Sequence, residues 1–145
     1  MKVPFIAGFG PIVDDDKQSH DLYISALGLQ LRTFAGQPES WPDSSGYLGT
    51  NDVEGVKHFA LWPLSLVAQT CCDKESWPQD IPVPHAWINF EVDDLEKATA
   101  ELQARGYRLI VARKHEWWGQ TATRLVSSEG LLVGITVTPG MRGKQ

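Results

Sequence analysis

Cysteine is scarce in this 145-residue chain: there are two, and they are neighbours, Cys71-Cys72. Adjacent cysteines rarely meet disulfide geometry without strain, so no disulfide framework is expected and a reduced, cytoplasmic setting fits. Basic charge is also short, with 13 Lys and Arg against 18 Asp and Glu for a formal charge of −5. That balance lacks the broad positive field on which nucleic-acid binding draws, and nucleic acid is not expected as a partner. No apolar run approaches the roughly 18 residues that cross a bilayer, and the start, Met1 to Ile6, is broken by Gly8, Gly10 and Pro11 before it could form a secretory signal. Neither a phosphate-cradling glycine motif, nor Cys/His zinc spacing, nor a nucleophile elbow is present. What the chain has in surplus is tryptophan, six residues, and proline, nine. Trp is a large amphipathic surface suited to ligand sites and interfaces.

One pattern occurs twice, about 70 residues apart: a β-like run, an acidic cluster, an amphipathic helix, and a glycine that opens another apolar run. In the first copy Phe5 to Val13 leads to Asp14-Asp15-Asp16, a helix through Leu22, Tyr23 and Ala26, then Gly28 and Leu29-Gln30-Leu31. In the second Ala86 to Val92 leads to Asp93-Asp94, a helix with Leu95, Ala98 and Leu102 on one stripe, then Gly106 and Tyr107 to Ala112. Asp93 is the expected cap of this second helix and Gly106 its left-handed end; both acidic clusters are read as helix starts rather than catalytic carboxylate pairs. Further strands are predicted at Val56 to Trp62, Thr121 to Val126 and Leu131 to Thr138, with a turn at Ser127 to Gly130. A connecting helix follows Pro63, with Leu64, Val67, Ala68 and Cys71 at helical spacing; Pro78, Pro82 and Pro84 mark an extended linker. The cysteines are read as core packing rather than redox chemistry.

This is an α+β chain: two βαβββ modules forming a mixed or antiparallel sheet, helices on the outer face and the other face free to close over a ligand. It is read as one domain over 1–145, with module one about 1–63, connecting helix and linker about 64–84, and module two about 85–140. Alternation places Ala86, Ile88, Phe90 and Val92 under the helix, and His85, Trp87, Asn89 and Glu91 on the cleft face. In the last strand Val133, Ile135 and Val137 face the helix, and Leu132, Gly134, Thr136 and Thr138 the cleft.

The run Trp87-Ile88-Asn89-Phe90-Glu91-Val92-Asp93-Asp94-Leu95-Glu96-Lys97-Ala98, with Gly106-Tyr107, Trp118-Gly119-Gln120-Thr121 and Ser127-Ser128-Glu129-Gly130-Leu131-Leu132, resembles the second module of the glyoxalase/bleomycin-resistance/extradiol-dioxygenase superfamily, the vicinal oxygen chelate fold. Asp15, Ser19, Tyr23 and Leu27-Gly28-Leu29 resemble its first module more weakly. The resemblance implies a cup-shaped sheet, usually in a homodimer, whose enzymes hold a divalent metal through His, Glu or Gln from four strands. Carried over, three of those places fall on Gly8, Trp87 and Gly134, which cannot bind a metal; His58 is suitable for the fourth. A single imidazole does not hold a catalytic ion, so no metal and no cofactor are expected.

These readings favour a metal-independent binding protein for a small hydrophobic, aromatic or planar molecule, similar to the antibiotic-sequestering members, with no catalytic residue assigned. The ligand-binding candidates are Trp87, His85, Asn89, His58, Trp62, Trp117, Trp118 and Gln120. Trp87 either walls the ligand or fills the cup; Trp62 and His58 are as readily core as site. Of Trp117 and Trp118, neighbours expected to point opposite ways, one should touch the site. Trp41 and Tyr47 are read as a loop anchor, a lid or a dimer contact, and Trp77 as structural. Arg124 is read as solvent-facing, with contact to an anionic ligand group as the alternative. The rival is a lyase, isomerase or dioxygenase with an off-pattern metal at His58, His85 and Glu91.

Overall fold

In a computed structural model, which describes residues 1–14, 16–33 and 47–142, one open mixed sheet of seven strands organises the chain. The strands are β1 (Phe5–Val13), β2 (Leu48–Thr50), β3 (Phe59–Pro63), β4 (Ala86–Glu91), β5 (Val111–His115), β6 (Thr121–Val126) and β7 (Leu131–Val137). Their order is β2-β3-β1-β4-β7-β6-β5. In each half the first strand pairs in parallel with the last of that half, β1 with β3 and β4 with β7, and the middle junction is the antiparallel ladder β1–β4. The order is therefore a mirrored repeat about that junction, as the duplicated sequence pattern requires.

The second half follows its sequence closely. Helix α3 (Leu95–Ala104) buries Leu95 and Ala98 with Val92 and Ile135, while Phe90, Leu102, Val133 and Val137 pack around them. Its cap is Asp94, one residue later than expected: Asp94 Oδ1 accepts from the Lys97 amide at 3.0 Å, leaving Asp93 to receive Arg142. Gly106 ends the helix with φ +86°. Strand β5 begins at Val111 rather than near Tyr107, because the segment after Gly106 first returns its Tyr107 amide to Leu102.

The first half is reduced. The predicted helix is a single turn, α1 (Asp16–His20), running into a π-helical turn over Asp21–Ala26 with no buried residue. The run Leu29-Gln30-Leu31 forms no strand; one bridge, Arg32 to Gly49, stands in its place. The strand expected from Val56 starts at Phe59. Helix α2 (Leu64–Cys72) follows Pro63 and buries Leu66, Val67 and Cys71 against Trp62, Trp87 and Leu132; burial pushes the Cys71 thiol up to about 11, consistent with an inert packing role.

Register divides the inner face of the second half into three rows. Trp87, Leu132 and Val126 lie side by side in the cluster that α2 joins. Asn89, Gly134 and Arg124 form the next row, and Gly8 extends it across the junction by pairing with Asn89. Glu91, Thr136 and Ala122 form the third, closed by the C-terminal turn Pro139–Met141 and Arg142. No helix among the described residues is long and apolar enough to cross a membrane.

Candidate functional site

Gly8, Asn89 and Arg124 of the middle row form the floor of a cavity of about 690 Å³. Two glycines make room for the side chains that line it. At Gly134 a Cβ would stand 2.2 Å from Asn89 Oδ1, so the Asn89 amide lies over a position that must stay bare. At Gly8 a Cβ would meet the Trp87 ring at 2.8 Å. The Trp87 indole thus crosses the central junction into the first half, where its Nε1 donates to the Ala60 carbonyl at 3.2 Å. It is 2% exposed and both packs in the core and lines the cavity, so the two sequence readings of Trp87 are compatible.

Aromatic rings build the walls. Trp62 stands edge-on to Trp87 and to Tyr47, with ring centroids 6.0 and 6.1 Å apart. Trp117 and Trp118 both line the cavity, contrary to the expectation that they diverge, because they occupy the tight turn between β5 and β6 rather than a strand. Their rings meet edge-on at 5.4 Å, Trp117 remaining 40% exposed at the rim. Trp118 is fixed by Nε1 donating to Gln120 Oε1 at 3.1 Å, and Gln120 Nε2 donates to Thr138 Oγ1 at 2.9 Å. Gln120 therefore positions an indole as well as lining the site.

His58 sits beside Gly8 at the far end of the floor. Asn51 Oδ1, 2.7 Å from Nδ1, can only accept, so Nδ1 carries the proton and Nε2 accepts from the Tyr47 hydroxyl at 2.9 Å. Tyr47, read from sequence as a loop anchor, lid or dimer contact, is instead turned into the cavity by this bond. Burial lowers the His58 pKa to about 4 and raises that of Tyr47, the latter against the opposing charge of Arg124. The sign follows: the unfolded chain takes up the His58 proton near the ordinary 6.5, the folded chain only near 4, so stability should fall as pH drops through that window. Urea unfolding at pH 7 and pH 5 should show the loss, and His58→Gln should flatten it.

Two expected site residues lie elsewhere. His85 precedes β4, is exposed, and packs beside Gly130, outside the residues lining the cavity. Glu91 shares the inner face but is sealed: its carboxylate accepts from Thr136 Oγ1 at 2.9 Å, the Thr138 amide at 2.6 Å and Arg142 Nε at 2.8 Å. His58, His85 and Glu91 are therefore not assembled as one ligand set, and among the described residues no three His, Cys, Asp or Glu side chains come together for a metal. A family-type divalent ion does not fit the residues present: Trp87 fills the centre, Asn89 covers Gly134, and the His58 lone pair is engaged by Tyr47. Trp41 lies outside the described residues, and Trp77 is tied down by Nε1 donating to Ile81 O at 2.9 Å.

Arg124 corrects the sequence reading most. Expected in solvent, it is 1% exposed, borders the cavity, and donates from Nη1 to Glu116 Oε1 at 2.8 Å, with its guanidinium carbon 5.8 Å from the Trp62 ring centre. Strand alternation contained the signal, since Arg124 falls on the inner face between Ala122 and Val126; Glu116 as its partner was not visible because a turn separates them.

A seven-stranded mixed sheet, mirrored about its β1–β4 junction with one strand fewer in the first half, around an inner-face pocket, defines the class. Residues 6–135 match the model of the Glyoxalase/Bleomycin resistance protein/Dioxygenase superfamily, and the chain belongs to that family. Among solved structures, a Streptomyces coelicolor methylmalonyl-CoA epimerase in complex with 2-nitronate-propionyl-CoA is 16% identical, with a TM-score of 0.55 over 94% of this chain and 96% of that one. A superfamily member from Vibrio splendidus 12B01 is 12% identical, with a TM-score of 0.54 over 92% and 97%. No curated protein sequence matches the chain.

Proposed function

We propose that this chain binds a small planar or aromatic molecule without a metal, holding it between indole faces and releasing it unchanged. The observation that carries the reading is the cavity of about 690 Å³ walled by Trp62, Trp87, Trp117 and Trp118. That volume is of the size that takes a drug-sized ligand, and aromatic faces supply large contact area with few polar groups needed for orientation. Asn89 and Gln120 offer those groups from the floor and wall. Gly8, Trp87 and Gly134 at the places where metal-binding relatives carry ligands support the metal-free part. Sequestration of this kind acts by mass action, with no bond broken.

The test is tryptophan fluorescence titrated with a panel of aromatic antibiotics and metabolites. At least one should quench the signal saturably, and Trp118→Ala should weaken that ligand roughly tenfold by removing one stacking face. No response across the panel would sink the proposal, and a stoichiometric divalent ion found by elemental analysis at His58 would overturn its metal-free part.

A further inference from the structure

Arg124 brings a complete positive charge into the cavity wall and is only half used. Its Nη1 is committed to Glu116 Oε1, while Nε and Nη2 are buried without a hydrogen-bond partner. Those two atoms form one edge of the guanidinium, with parallel N–H bonds spaced to match the two oxygens of a carboxylate. Trp62 Nε1, on the ring that faces the same guanidinium, is likewise buried and without a partner. A buried donor left unmade costs the desolvation of that group, most of all for a charged one, so three such donors on two neighbouring cavity residues are explained by an acceptor that arrives from outside.

The local charge count points the same way. Glu116 Oε1 is shared between Arg124, at 2.8 Å, and Lys114 Nζ, at 4.0 Å. Two cations on one carboxylate leave an excess of one positive charge, and no Asp or Glu is among the described residues that line the cavity. Gly134, paired with Arg124 in the sheet, carries no side chain and is covered by the Asn89 amide, so Arg124 and Asn89 border the cavity together.

We infer that the ligand is an aromatic monocarboxylate, its carboxylate received side-on by the Nε–Nη2 edge of Arg124 with Trp62 Nε1–H as a third donor, and its ring between the indoles. The inference deepens the binding function proposed above and rests on it. A single planar carboxylate matches both the two-donor edge and the surplus of one charge; a dianionic phosphate would bring a second charge among rings that cannot meet it.

The experiment compares benzoate, 2-naphthoate and 9-anthracenecarboxylate with their primary amides and with 2-naphthyl phosphate, by fluorescence titration of the full chain. For the ring that fits, the acid should bind about 10- to 100-fold more tightly than its amide, as expected for hydrogen bonds to a charged group. Arg124→Lys, which keeps the charge but loses the edge, should lose most of that preference. Because removing Arg124 alone strands Glu116, the clean variant is Arg124→Met with Glu116→Gln, which should bind acid and amide alike. Equal binding of acid and amide by the native chain, a preference that survives in the double variant, or tighter binding of the phosphate would each overturn the inference while leaving aromatic binding standing. Failure of every acid and amide to bind would overturn the inference, and failure of the wider aromatic panel as well would overturn the binding function it rests on.

Discussion

Replacing Gly10 by Ala should cost about 3 kcal/mol or more of stability, enough to leave a marginally stable domain largely unfolded. A Cβ at Gly10 would stand 2.0 Å from the Ala60 carbonyl oxygen and 2.9 Å from Trp87 Nε1, the two atoms that hydrogen-bond to each other across the floor. The carbonyl cannot step aside, because β3 is held between β1 and β2 and Ala60 is paired with Gly49. Relief requires β1 and β3 to separate and Trp87 to leave its slot together. Gly28 is the contrast: its φ is +72°, but a Cβ there meets nothing within 4 Å, so Gly28→Ala should cost only about 1 kcal/mol of backbone strain. Urea unfolding of the two variants side by side checks the difference, and similar losses would contradict the packing argument.

Replacing Glu91 by Leu should also be severe, about 2–4 kcal/mol, because it removes a buried carboxylate and strands the buried donors it receives, while Arg142, half-buried, keeps Asp93 as a partner. The carboxylate is 0% exposed and receives the Thr136 hydroxyl, the Thr138 amide and Arg142. Arg142 in turn reaches Asp93 and the Val92 carbonyl, clasping the last described residues onto the end of the central strand β4. Gly140 and Met141, inside that clasp, line the cavity, so the variant should weaken ligand binding as well as stability. Glu91→Gln, which still offers an acceptor, should cost less. Removing both charges, Glu91→Leu with Arg142→Leu, should recover part of the loss; thermal melts of the three variants with and without ligand separate the two effects.

The second half was legible because period and punctuation agree there: Ala86 to Val92 alternates cleanly, the Asp93-Asp94 pair and Gly106 bracket α3, with the cap read one residue early, and Val133, Ile135 and Val137 face the helix as alternation requires. The first half gave weaker signals because its helix is one α-helical turn running into a π-helical turn, Asp21–Ala26, that buries no residue. For the site, Trp87 and Asn89 could be assigned from strand alternation, and Gly134 from the space it leaves. Tyr47 could not, since it is drawn inward by His58, a partner that local pattern does not reveal; for Arg124 alternation gave the inward face, but its partner Glu116 lies across a turn. Alternation also failed for Trp117 and Trp118, where a tight turn replaces the strand geometry on which it depends.

The Trp87 indole and Gly8 occupy one volume between them, and this constrains how the site can change over generations. A Cβ at position 8 would collide with the ring of Trp87 at 2.8 Å and press on the His58 carbonyl oxygen at 3.1 Å, a backbone contact that a few tenths of an ångström relieve, whereas at Gly10 the Ala60 carbonyl oxygen stands at 2.0 Å. Position 8 is therefore open to larger residues only in company with a smaller residue at 87, and Trp87 cannot be traded for a small residue without leaving a void unless position 8 grows. The two should change as a pair, across the junction between the repeated halves, and a route from this aromatic floor to one bearing an imidazole at position 8 passes through an intermediate that is either overpacked or hollow.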